Sequence, residues 1–127
     1  MKVKKLNQPE PVRPNLEIGE ADFESVVLRS PQPVLAAFLV SWSRPCQVLK
    51  PVLDEVAAAC LGRAKVVTIN TDDNLGLGVS YQIQSVPTLI CFVDGTEQLR
   101  FIGTATKEAI LSRIQACSKT PSGPVLR

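Results

Sequence analysis

Two continuous apolar runs constrain this chain more than any other feature. Residues 34–40 read VLAAFLV and residues 64–70 read AKVVTIN. A strand with one wet face alternates apolar and polar residues, and these two runs do not, so each suits a strand covered on both faces. The covering layers are legible around them. Between the runs, RPCQVLKPVLDEVAAACLG places Leu49, Val52, Leu53, Val56 and Cys60 at helical spacing. Pro45 fits the first turn of that helix, where its missing N–H costs nothing, and Gly62 supplies the C-terminal stop. Pro51, inside the helix, removes one hydrogen bond and predicts a kink. Upstream, EADFESVVLRS puts Phe23, Val26 and Val27 on one face, and Pro31 and Pro33 end it.

The rest of the chain extends the alternation and then breaks it. NLEIGE, from Asn15, predicts a short strand. TDDNLGLGVSYQI carries an N-cap-like Asp72 or Asp73, and its two glycines predict a short, weak helix. VPTLICFVDGTEQLRFIG reads as a hairpin: a strand at Thr88–Val93, a turn at Asp94-Gly95 and a strand over 98–102. TKEAILSRIQAC presents Ala109, Ile110, Ile114 and Cys117 on one helical face, with Thr106 as N-cap. The order is β-α-β-α-β-α-β-β-α: an α/β fold in three layers, α/β/α, around a central mixed five-stranded sheet.

At 127 residues, 45% of them hydrophobic, the chain has the size of one domain with one good core. The expected division is a flexible basic extension over 1–14, a domain over 15–118 and a flexible tail over 119–127. Residues 1–14 set Lys2, Lys4, Lys5 and Arg13 against Glu10, and the tail adds Lys119 and Arg127. The total is +2, so the body is mildly acidic. That argues against a nucleic-acid face, which needs Lys and Arg clustered on the folded surface. The run at 34–40 is too short to span a bilayer, and no apolar stretch follows the basic start as a signal peptide requires. A cytoplasmic monomer is the expectation.

Four cysteines, at 46, 60, 91 and 117, occur with no CxxC and no histidine. Scattered thiols without close ligand pairs predict no metal site and no cofactor. Cys60, Cys91 and Cys117 fall on apolar faces and read as core thiols. Cys46 differs. It stands three residues after Ser43 in SWSRPC, at the start of the proline-containing helix.

That turn and this order of elements resemble the thioredoxin family from about residue 15 to 117. VLAAFLVSWSRPC matches the family's strand leading into Trp-Cys-Gly-Pro-Cys, and KPVLDEVA matches its proline-bearing helix. NTD (70–72), YQIQSVPT (81–88), Asp94-Gly95 and Gly103 match four further motifs in register. The resemblance implies a cis Val86–Pro87 bond beside the helix N-terminus. It also implies a groove for an extended peptide or protein partner, formed by Trp42, Val86, Pro87, Thr88 and Gly103.

The family's activity is protein disulfide oxidoreduction, and this chain departs from the residues that perform it. The nucleophilic first cysteine of the motif is replaced by Ser43, whose hydroxyl cannot close a disulfide with Cys46. A buried Asp in the preceding strand is replaced by Ala37, and its Lys partner by Thr68. Arg44, in place of a glycine, adds a positive charge at the helix entry beside Pro45. It either tunes the Cys46 thiol, binds an anion or is a solvated surface residue. Three readings stay open: a partner-binding module with weak or no reductase activity, a monothiol enzyme acting through Cys46, or a dithiol enzyme whose first cysteine was replaced by Ser43.

Overall fold

The computed structural model describes residues 15–119, so the predicted extension 1–14 and the tail beyond Lys119 lie outside the described residues. Five strands form one sheet in the order β1-β3-β2-β4-β5. They are β1 (Asn15–Glu17), β2 (Val34–Leu39), β3 (Lys65–Asn70), β4 (Thr88–Val93) and β5 (Thr96–Ile102). The first three are mutually parallel, and β4 and β5 run antiparallel to their neighbours. Every residue of β2 is buried, as its unbroken apolar run requires of a central strand.

Helices cover both faces. On one, α2 (Arg44–Ala59) and α4 (Lys107–Lys119) bury Leu49, Leu53, Val56, Ile110 and Ile114 against Leu35, Leu39, Val66 and Leu89. On the other, α1 (Glu20–Phe23) and α3 (Leu75–Ser80) close over Ala36, Phe38, Val67, Ile69 and Ile90. Phe23, Tyr81 and Phe92 pack edge to face on that side, with centroids 5.5 Å apart for Tyr81–Phe92 and 5.7 Å for Phe23–Phe92. Burial of each such side chain stabilises the fold by about 1.5–3 kcal/mol. Pro51 lies inside α2 on its exposed side. The α/β/α architecture is therefore the one the sequence predicts.

Local differences have identifiable causes. The first helix is not uniform: α1 passes into a π turn over Glu24–Leu28, closed by Arg29 N–H donating to the Glu24 carbonyl at 2.9 Å. The wider turn keeps both Phe23 and Val27 buried and leaves Val26 half-buried.

Neither Asp72 nor Asp73 caps the short third helix. Asn70 instead caps a 3-10 turn at Thr71–Asp73 through a 3.0 Å bond from the Asp72 N–H. The N-terminus of α3 is served from a distance. The Asn74 side-chain oxygen accepts the Glu20 N–H at 3.0 Å, and the Glu20 carboxylate accepts the Leu77 N–H at 3.2 Å. The two helices thus exchange caps, which offsets the weak propensity of LGLG. Thr106 caps α4 as expected, accepting the Ala109 N–H at 3.1 Å. Strand β5 starts two residues before the predicted 98, because the turn is only Asp94-Gly95 and Gln98 is accommodated in a register shift opposite Cys91/Phe92.

Candidate functional site

The carboxyl end of β2 delivers the chain into the Ser43 turn. Ser43 has extended backbone dihedrals and is the N-cap of α2, its hydroxyl oxygen accepting the Cys46 N–H at 3.4 Å. Arg44 and Pro45 occupy the first turn, both exposed, with Pro45 where no donor is required. A serine here satisfies one of the four unpaired N–H groups at a helix start. The hydroxyl at the nucleophile's position is therefore engaged as a cap.

Cys46 sits one turn in. It is 1% exposed and packs in the same apolar cluster as Leu39, Val40 and Leu49. A thiolate must reach its target to react, and this sulfur has almost no surface from which to do so. Beneath it, the register of the parallel pair sets Ala37 directly against Thr68. Both are buried, and neither carries a charge. The two departures read separately from the sequence are thus neighbours in space. Thr68 also borders a cavity of about 300 Å³ that reaches Gln47, Lys50 and Asn70.

Across from the turn, the Val86–Pro87 peptide is cis. Pro87 is buried and its carbonyl accepts the Gly103 N–H at 2.9 Å, which ties the loop to the end of β5. Gly103 has φ +98°, a conformation that costs glycine little and other residues more. Thr88 is fully buried, and its hydroxyl donates to the Ser85 carbonyl at 2.7 Å. Val86 is half-buried against the apolar cluster that holds Cys46. Trp42 is 70% exposed, yet its ring is held: Nε1–H donates to Asp72 Oδ2 at 2.8 Å. Asp72, expected from the sequence only as an N-cap, is thereby brought to the site. Its signal was the NTD motif, whose aspartate lies in the 3-10 turn after β3, where Asn70 takes the capping task.

Among the described residues, no group of three or more His, Cys, Asp or Glu could hold a metal ion. None of the described helices is long and apolar enough to cross a membrane.

A parallel-then-antiparallel sheet with a Ser-x-x-Cys turn at a helix start, facing a cis-proline loop, defines a protein built on the thiol–disulfide exchange scaffold. Residues 15–116 match the thioredoxin family model. The chain is 37% identical over 99 residues to the thioredoxin of Haemophilus influenzae, covering 78% of this chain and 92% of that one. It is 35% identical over 99 residues to the thioredoxin of a Synechocystis species, with the same coverage. It is 34% identical over 101 residues to that of Pseudomonas aeruginosa, covering 80% and 94%. This chain belongs to the thioredoxin family. Membership supports a function of the thiol–disulfide oxidoreductase kind.

Proposed function

We propose that this chain works chiefly as a partner-binding member of the family, with weak or no disulfide reductase activity of its own. It takes an extended peptide or protein segment in the groove between Trp42 and the Val86–Pro87–Thr88 edge, with Gly103 leaving room beside it. The observation that carries this reading is the pairing of a capping Ser43 with a Cys46 that is 1% exposed. Reductase turnover needs one accessible thiolate to open the substrate disulfide and a second thiol to resolve the mixed disulfide. The turn supplies neither an accessible thiolate nor a pair. Two features that support the groove do not depend on them: an exposed indole anchored by Asp72, and a loop edge anchored to Gly103. The partner of this reading is a protein segment rather than nucleic acid, and the chain acts as a monomer.

Insulin reduction with dithiothreitol as electron donor tests it. The chain as it stands is expected to run at or near the uncatalysed rate, and turnover like that of a dithiol relative would refute the reading. Iodoacetamide should label Cys46 only in denaturant; labelling of the native protein with a sigmoidal pH profile would favour the monothiol alternative. The likeness to proteins named thioredoxin supports a dithiol ancestry. The S43C variant measures how much of that ancestry survives. Full restoration would assign the loss of activity to Ser43 alone, and partial restoration would assign part of it to Ala37 and Thr68.

A further inference from the structure

We propose that Cys91 and Cys117 form a second dithiol site, which a small-molecule disulfide oxidises to a disulfide bond fastening α4 to the sheet. Cys91 lies in β4 and Cys117 in the last turns of α4, two elements that pack together. Side-chain alternation along β4 sends Leu89 and Cys91 to the face that α4 covers, and Ile90 and Phe92 to the other. On α4, Cys117 continues the buried stripe of Ile110 and Ile114. Both side chains are therefore buried in the packing between β4 and α4. Of the four cysteines, all free and all buried, these two lie on elements packed against each other, whereas Cys46 packs among apolar side chains at the far end of its helix.

The surroundings suit a bond that forms and breaks. Cys91 pairs with Leu35 near the start of β2, whereas the Ser43 turn follows the end of that strand, so the two sites are separate. The β4–β5 ladder shifts register between Cys91 and Phe92, which loosens the backbone next to the sulfur. Cys117 is the more exposed of the two, at 5% against 1%, and lies near the end of its helix. Burial and the neighbouring thiol push Cys91 well above the usual thiol range, so it holds its proton longer. Cys117, the more exposed sulfur, attacks first. Its thiolate opens the small disulfide, forming a mixed disulfide and releasing one small thiol. Cys91 then loses its proton to solvent, attacks the Cys117 sulfur and expels the second small thiol. The protein dithiol loses two electrons and two protons, and the small disulfide gains them.

The test is to incubate the full chain with oxidised glutathione, alkylate remaining thiols in denaturant and digest with trypsin. The enzyme leaves Cys91 in peptide 66–100, Cys117 in peptide 114–119, and Cys46 with Cys60 in peptide 30–63. The expected product joins the first two peptides and leaves Cys46 and Cys60 alkylated. Closing a loop of roughly 25 residues should raise Tm by about 10 °C, reversibly with dithiothreitol. The rise should be absent in C117A. Full alkylation of Cys91 and Cys117 after oxidation of the folded protein, a link to Cys46 or Cys60 instead, or a lasting glutathione adduct on Cys117 would each overturn the proposal. The wild-type peptide map decides this even if C117A folds poorly.

Discussion

The sheet face covered by α2 and α4 holds thiols at both ends, under opposite arrangements. At the Ser43 end, one thiol is packed among apolar side chains, its motif partner is a hydroxyl, and the strands beneath offer Ala37 against Thr68. At the other end, Cys91 on β4 and Cys117 on α4 lie on elements that pack together, and Cys60 caps the end of α2. Burial pushes the Cys60 thiol up, partly countered by Arg63. The contrast separates two things that a thiol count confuses: the presence of sulfur and the presence of an arrangement that can turn over. The Ser43 end keeps the scaffold of exchange chemistry without its charges or its pair.

The sharpest way to break this contrast is to return the missing charges. Ala37 is fully buried, so Ala37→Asp places a carboxyl inside the apolar cluster that also holds Cys46. An uncompensated buried charge of this kind costs about 3–5 kcal/mol. Burial raises the pKa of such a carboxyl in the folded state above its unfolded value. The variant should therefore be nearest wild type at pH 4 and lose stability as pH rises past the unfolded carboxyl value, the reverse of a salt-bridged aspartate. Thr68→Lys should cost less, because the neighbouring cavity admits part of the new side chain. The double variant should be more stable than the sum of the singles requires, since the register pairs the two positions directly. Urea melts at pH 5 and pH 8 decide it. Strict additivity would show that the two positions have drifted out of contact.

How far the sequence foretold this molecule depends on the range of the interaction. Strands β2 and β3 were legible because an unbroken apolar run needs no partner to be recognised, and the hairpin because Asp94-Gly95 specifies its own turn. The start of α3 was not legible. Its cap is Glu20, 57 residues from the Leu77 N–H it serves, and nothing local announces such a partner. The π turn at Glu24–Leu28 was also hidden, because its periodicity barely differs from that of an α-helix over five residues. At the site, Ser43, Cys46, Trp42 and Pro87 were found through spaced motifs. The depth of Cys46, the capping role of Ser43 and the Trp42–Asp72 bond depend on three-dimensional packing and were not.

A smaller effect separates cap from vestige at Ser43. If its hydroxyl serves α2, Ser43→Ala should destabilise the protein by about 0.5–1 kcal/mol, the low end for an N-cap because the bond is 3.4 Å long. Ser43→Asp should hold wild-type stability, because a carboxylate caps as well and favours the positive end of the helix dipole. Denaturant midpoints measure both. A neutral alanine variant would show that the serine caps nothing.

Trp42 offers a readout from the groove itself, as the sole tryptophan of the chain. Asp72→Ala removes the acceptor of an exposed indole N–H, so stability should change by less than about 1 kcal/mol. The ring should nevertheless gain freedom, seen as a fall in tryptophan fluorescence anisotropy and in affinity for a bound peptide. Unchanged anisotropy would mean that packing rather than the bond orients the ring.

The smallest effect belongs to β5, where Glu97 and Arg100 pair with Phe92 and Ile90 and so lie on the sheet face opposite the Cys91 sulfur. Glu97 and Arg100 form a two-pronged ion pair on β5, at 2.8 and 2.9 Å. The Arg100 hydrogen bonds hold the Glu97 carboxyl below its ordinary value. A depressed carboxyl stabilises the fold at pH values above its unfolded value and loses that contribution as pH falls through the folded one. The pair is about a third exposed and therefore screened by water and salt. Glu97→Gln should thus cost less than about 1 kcal/mol at pH 7, less again in 1 M salt, and nothing at pH 3. The cost should also leave the tendency of Cys91 and Cys117 to oxidise unchanged. If Glu97→Gln did alter that oxidation, β5 and its register shift would be coupled to the thiol pair more tightly than two separate sites allow.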